Sequence, residues 1–165
     1  YAVAGAKNNT ATAQLPITYT HTGNYNGNHG GYSTSGLLTT NRSYKFRDIT
    51  DGTSNTLLLG EISSRENQAA NWDNSYRAWI QGVSGGGGGS ALYNCKNVRH
   101  PIGPSGWRSG NNSRLFNDVR FGSAHVGGTH FLLADGAVKF VSENIDMATY
   151  LAAASREGEE DLALE

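Results

Sequence analysis

At 165 residues, with 13 basic and 14 acidic side chains and a net charge of −1, the chain has the length of one domain and no basic stripe to hold nucleic acid. Its 37% hydrophobic content, 22 glycines and abundant Asn, Ser and Thr point to a β-rich, loop-rich fold, with the weakly charged polar surface common on exported proteins. Cys95 is the one cysteine, which excludes an internal disulfide and a cysteine-rich metal site, and no apolar run approaches the ~20 residues of a membrane helix. Cys95 itself reads as a buried, idle thiol, the other option being a bridge to another segment or chain.

Residues 1–14 are small and polar, with an apolar flicker from Tyr1 to Ala4 that predicts an edge strand. Leu15 to Thr20 alternates weakly, and Pro16 pushes any strand there to an edge. His21 to Gly36 is rich in Gly, Asn, Tyr and Ser, which is loop chemistry; its His21 and His29 are eight apart in a loop that sets no metal geometry. Asp51-Gly52 predicts a tight turn, with Thr53, Ser54 and Asn55 able to bond the local backbone. Leu57 to Ile62 follows as an apolar strand buried on both faces, ending at Gly60-Glu61. Tyr76 to Ile80 and Ala91 to Asn94 are further strand candidates. The Gly-rich run at 84–90 between them predicts a flexible loop inside a single domain.

The stretch from Phe121 to Asp146 carries the strongest local signal. Asp135-Gly136 lies between two apolar runs and predicts a two-residue type I′ hairpin, in which Leu133 faces Val138 and Phe131 faces Phe140. Those four would share the core face, leaving Leu132 and Lys139 outside. Asp146 is then a good N-cap for a helix from Met147 to Ser155, with Met147, Tyr150, Leu151 and Ala154 as its packing stripe. Gly158 suits a helix stop, and 157–165 forms an acidic, solvated tail.

Nine residues separate His125 from Asp135, so this stretch spells H-x9-D-G. A second block, FRDITDGTSNTLLLGE from Phe46 to Glu61, precedes it. The two blocks in this order resemble the prepilin-type processing-associated H-x9-DG proteins, a bacterial family of unknown function abundant in planctomycetes. The resemblance implies a pilin-like or pseudopilin-like head domain, of the type IV pilus and type II secretion kind. Its motif residues would be His125, Asp135, Gly136, Asp51, Gly52, Thr53, Ser54, Asn55 and Glu61, with structural roles. It also implies a prepilin signal and a long apolar N-terminal helix ahead of the head, anchoring it at the cell surface or outside the cell. Other pilin-like subunits or secretion machinery would be the partners.

Chemistry-bearing residues admit several readings. His125, His130 and Asp135 are of ligand type, but His130 and Asp135 fall at opposite ends of one strand, roughly 16 Å apart at ~3.3 Å per residue. They cannot share an ion, whereas His125 can fold back toward either. The plainer role for His125 is a bond to a carboxylate or to backbone that pins the Gly127-Gly128 loop. Ser123 lacks the strand-turn-helix setting of a nucleophile elbow, which argues against a hydrolase. Asp51 and Asn55, with Ser54 and Glu61 near them in sequence, offer oxygens suited to calcium, the one cofactor considered, without the carboxylates of an EF-hand. Trp72, Tyr76, Trp79 and Trp107 could stack on sugar rings or fill a core or subunit contact. The expectation is therefore an α+β fold: a mostly antiparallel sheet with a short C-terminal helix. Its first function is that of a non-enzymatic structural subunit; the alternative is an extracellular module that binds glycans or another solute.

Overall fold

The computed structural model describes residues 1–8, 18–19, 21–22, 29–62, 83–84, 91–103, 116–158 and 164. In chain order the strands are β1 (Ala2–Ala6), β2 (His21–Thr22), β3 (Tyr32–Ser33), β4 (Leu57–Gly60), β5 (Val83–Ser84), β6 (Ala91–Leu92), β7 (Cys95–Val98), β8 (Gly128–Leu133) and β9 (Val138–Ser142), followed by helix α1 (Met147–Ala153). Among the described residues one five-stranded sheet has the order β7-β1-β4-β8-β9, while β2-β3 and β5-β6 form two-stranded ladders. All neighbours in the large sheet are antiparallel except β1 and β7, which run parallel. The architecture is α+β. β5 and β6 bring the two ends of the Gly-rich run together, pairing Ser84 with Ala91.

The core lies between one face of the sheet and α1. Val3, Leu57, Val98, Phe131, Leu133 and Val141 meet Tyr150, Leu151 and Ala154 there. The Phe131 and Tyr150 rings sit edge to face, 5.9 Å apart, and both side chains are almost fully buried. Asp146 caps the helix as its sequence predicts, accepting from the Ala148 and Thr149 amides. The helix is shorter than the sequence pattern, ending at Ala153 rather than Ser155.

Four sequence expectations are corrected. β1 is not an edge strand: it lies between β7 and β4. Its small side chains weaken the strand signal, yet they are what lets residues 33–36 lie directly on it. There the Gly36 amide donates to Ala4 O, and the Ala6 amide to Ser35 Oγ.

The hairpin register is the second correction. Leu132 pairs with Val138, Phe131 with Lys139, and His130 with Phe140, one residue away from the two-residue turn. The loop has three residues: Gly136 N donates to Leu133 O and Leu133 N to Ala137 O. Gly136 alone of the Asp-Gly pair takes positive φ, at +90°, and the Asp135 carboxylate accepts from the Ala137 amide. This is a type I turn closed by a glycine bulge, and such a turn shifts register by one against the type I′ alternative. A one-residue shift exchanges the faces of a strand. Val138 and Phe140 are consequently exposed at 67% and 45%, while Val141 faces the core.

The third correction is β4, which is not buried on both faces. Leu57 is in the core, but a bulge between Leu57 and Leu59 turns Leu59 outward opposite Leu132, 39% exposed. Ile62 lies past the strand, in an isolated bridge to Gly122. The fourth concerns the tail: Leu164 is buried in the core cluster, and its carbonyl accepts from Lys139 Nζ at 2.7 Å.

Candidate functional site

Glu61, His125 and His130 meet on the outer face of the sheet, on the side away from α1. The backbone explains each position. β4 ends at Gly60, where an added Cβ would come 2.4 Å from a Phe131 ring carbon and 2.5 Å from one of Phe121. That glycine lets the two phenylalanine rings close beneath the strand end, 5.4 Å apart, and the chain then exits with Glu61 turned outward. His130 points outward from the middle of β8, beside its cross-strand partner Phe140, with the rings 5.2 Å apart. His125 comes from the loop before β8. Ser123 Oγ accepts from the His125 amide and donates to Gly128 O, and Gly127 O accepts from the Glu143 amide, so this loop is tied down at several points.

Glu61 Oε2 accepts from Thr129 Oγ1 at 3.0 Å and from the His130 amide at 2.8 Å. His130 Nδ1 lies 3.4 Å from Oε2, and His125 Nε2 lies 3.9 Å from Oε1. The two imidazoles sit edge to face with centroids 4.9 Å apart. Burial by itself would raise the Glu61 carboxyl, but the His130 amide, the Thr129 hydroxyl and the two imidazoles hold it below its ordinary value. The carboxylate is thus ionised and oriented before anything binds it.

The Asp51–Thr56 turn of the Phe46–Glu61 block acts as a brace. Thr53 O accepts from the Asp135 amide and Thr56 O from the Ala134 amide, so the Asp51–Thr56 turn holds the hairpin tip. On its other side, Arg156 O accepts from the Thr50 and Asp51 amides, and Asp51 Oδ2 accepts from the Gly158 amide at 2.8 Å. Asn55 presents its amide nitrogen, not its oxygen, to Asp51 O, and Thr56 Oγ1 donates to Gly52 O. A family model described as "Protein of unknown function (DUF1559)" matches residues 1–148, a span holding both blocks and all three side chains of the cluster. The chain belongs to the DUF1559 family. No curated protein and no solved structure matches it.

Within this DUF1559 chain the two halves of H-x9-D-G do different things. His125 turns back toward His130 and Glu61, while Asp135 stays at the hairpin tip beside Gly136 and bonds its own turn. Glu61, rather than Asp135, supplies the carboxylate. Sequence spacing could not reveal this, because Glu61 is 64 positions from His125 and reaches it through the β4-β8 pairing and the Ile62–Gly122 bridge, where Glu61 O accepts from the Gly122 amide. Trp72, Tyr76, Trp79 and Trp107 lie outside the described residues.

A second polar cluster was not legible in the sequence. Asp118, wholly buried, accepts from Lys7 Nζ at 2.9 Å, Arg99 at 2.6 Å and Asn97 Nδ2 at 2.6 Å. Lys7 is equally buried, so the cluster is a closed clamp joining β1, β7 and the Phe116–Asp118 turn. Lys7 and Asp118 are 111 positions apart, and no local motif marks either. Among the described residues no helix is long and apolar enough to cross a membrane.

Proposed function

We propose that this chain is the head domain of a non-enzymatic, pilin-like subunit that works at the cell surface or in a secretion machine. The observation supporting this is the outer face of the sheet. Ala2, Leu59, Leu132 and Val138 form one cross-strand row over β1, β4, β8 and β9, with Phe140 in the next row. Single exposed apolar side chains are ordinary, but a contiguous apolar row across four strands marks a surface made to be covered. α1 occupies the opposite face, so the long apolar N-terminal helix of prepilin-type proteins would rest on this one. Ser123 fits the non-enzymatic reading, since its hydroxyl is engaged by Gly128 O and the His125 amide rather than by an imidazole.

The test uses the full-length protein in its own cells. Val138→Cys, treated with a bismaleimide on intact cells, is expected to give a cross-linked dimer, since each subunit then carries one accessible thiol while Cys95 is buried. The fragment 1–165 alone is expected to sediment as a monomer or weak oligomer. Filaments formed by the fragment, or a full-length protein that stays monomeric and protected inside the cell, would overturn the proposal.

A second reading, a displayed module that binds a glycan or another solute, is favoured by an open cleft of about 760 Å³ bordering the same face. Tyr1, Tyr32, Leu38, Thr40, Arg42 and Leu59 line it, a mixture of apolar area and a few polar groups typical of ligand clefts. A glycan-array and solute screen of the folded fragment without a single hit would remove this reading.

A further inference from the structure

We propose that Glu61, His125 and His130 form a binding site for a divalent transition-metal ion, zinc by its ligand chemistry. One ligand atom from each side chain lies within 4.8 Å of the other two. In a tetrahedral zinc site with bonds of about 2.0–2.1 Å, neighbouring ligand atoms are roughly 3.3 Å apart. The 3.4 Å from His130 Nδ1 to Oε2 and the 3.9 Å from His125 Nε2 to Oε1 run to different oxygens of the carboxylate, so a single-oxygen site closes from within the 4.8 Å limit, a movement open to side chains that are each at least 40% exposed. Two imidazoles and one carboxylate are a three-ligand set that leaves the fourth position open.

Three further features point the same way. Thr129 Oγ1 and the His130 amide hold Glu61 through Oε2, leaving Oε1 directed toward His125. Outer-shell bonds of this kind fix ligand orientation before the ion arrives. The side chains are 42%, 56% and 40% exposed for Glu61, His125 and His130, so an ion reaches them from solution while Phe140 shields one flank. Two nitrogen donors disfavour calcium and magnesium, which take oxygen ligands. The two ordered sequence blocks then acquire a common purpose, because Phe46–Glu61 supplies the carboxylate and the H-x9-D-G stretch both imidazoles. This inference is independent of the subunit reading, since the ion would bind the isolated head.

The experiment is calorimetric titration of metal-free fragment 1–165 with zinc chloride, and with calcium chloride as the contrast, plus cobalt(II) substitution read by its visible d–d absorption. One zinc per chain is expected, with a tetrahedral cobalt spectrum and no comparable calcium uptake. His125→Ala, His130→Ala and Glu61→Gln are each expected to weaken zinc binding at least about ten-fold and to abolish the cobalt band. Glu61 also holds backbone, so His125→Ala, in an exposed loop, is the decisive variant if Glu61→Gln does not fold. A folded wild type that takes up no stoichiometric zinc, leaving only an imidazole–carboxylate clasp, overturns the proposal. So does zinc uptake unchanged in both histidine variants, which would place the ion elsewhere on the chain.

Discussion

Asp118 shows how much can depend on a single side chain. It is buried with Lys7, and both would be costly to place there unpaired; Arg99 and Asn97 complete the set of donors. Asp118→Asn is expected to destabilise the fold by about 3–5 kcal/mol in chemical denaturation, because it strands the Lys7 charge. Asp118→Leu combined with Lys7→Met should recover much of that loss, and a single variant costing under about 1 kcal/mol would refute the clamp. Lys96 is a different case. Burial, only partly offset by Cys95 and Asp118, lowers its ammonium from 10.5 to about 7. The unfolded chain therefore binds more protons than the folded one above pH 7, and stability should rise with pH from about 7 toward 9. Beyond that Cys95 opposes it, since burial raises this thiol from 9.0 to about 11 and its stabilising share is lost as pH climbs through that range. Denaturation midpoints across pH 6–9 test the sign, and Lys96→Met should flatten the slope.

At the scale of the element, the β8–β9 hairpin decides what the outer face looks like. Its three-residue loop depends on positive φ at Gly136, where an added Cβ meets nothing within 4 Å. Gly136→Ala is expected to cost about 1 kcal/mol through backbone strain alone. Gly60→Ala should cost clearly more, because its Cβ would strike both Phe131 and Phe121. Thermal melts of the two variants test this ordering, and equal losses would contradict the packing described beneath Glu61. The Asp51–Thr56 turn couples this hairpin to the segment after α1, which explains why a conspicuous sequence block carries so many backbone contacts.

For the whole molecule, the asymmetry between the two sheet faces matters most. One face is filled by α1 and the aromatic core, while the other carries the Leu59, Leu132 and Val138 row, Phe140 in the next row, and the histidine–carboxylate cluster. Val138→Lys and Phe140→Glu should leave the fragment's stability within about 1 kcal/mol, as exposed substitutions usually do. In full-length protein that keeps the Val138→Cys cross-linking site, Leu59→Lys with Phe140→Glu should abolish the cross-linked dimer. Loss of folding in the 165-residue chain, or an unaffected dimer, would show that this row is not an assembly surface. The zinc site sits on the rim of the row, so His125→Ala separates metal binding from assembly.

Local chemistry determined a good deal in advance. The Asp146 cap and its apolar stripe specified α1, alternation specified β8 and β9, and Asp51-Gly52 and Asp135-Gly136 marked turns, because each depends on neighbours a few residues apart. Asp-Gly serves two loop types, however, and choosing between them required the partner strands; the choice moved Val138 and Phe140 from the core to the surface. β1 was hard to see because small residues give little strand signal, and their reason for being small lies in residues 33–36 pressed on them. His125 was legible as a notable residue, but its carboxylate partner was not: strand pairing alone brings Glu61 within reach. The same holds for Lys7 and Asp118, whose charges are tolerable only once burial and pairing occur together. Sequence determines what each segment tends to do by itself; tertiary structure decides which distant side chains meet, because that depends on register and sheet order.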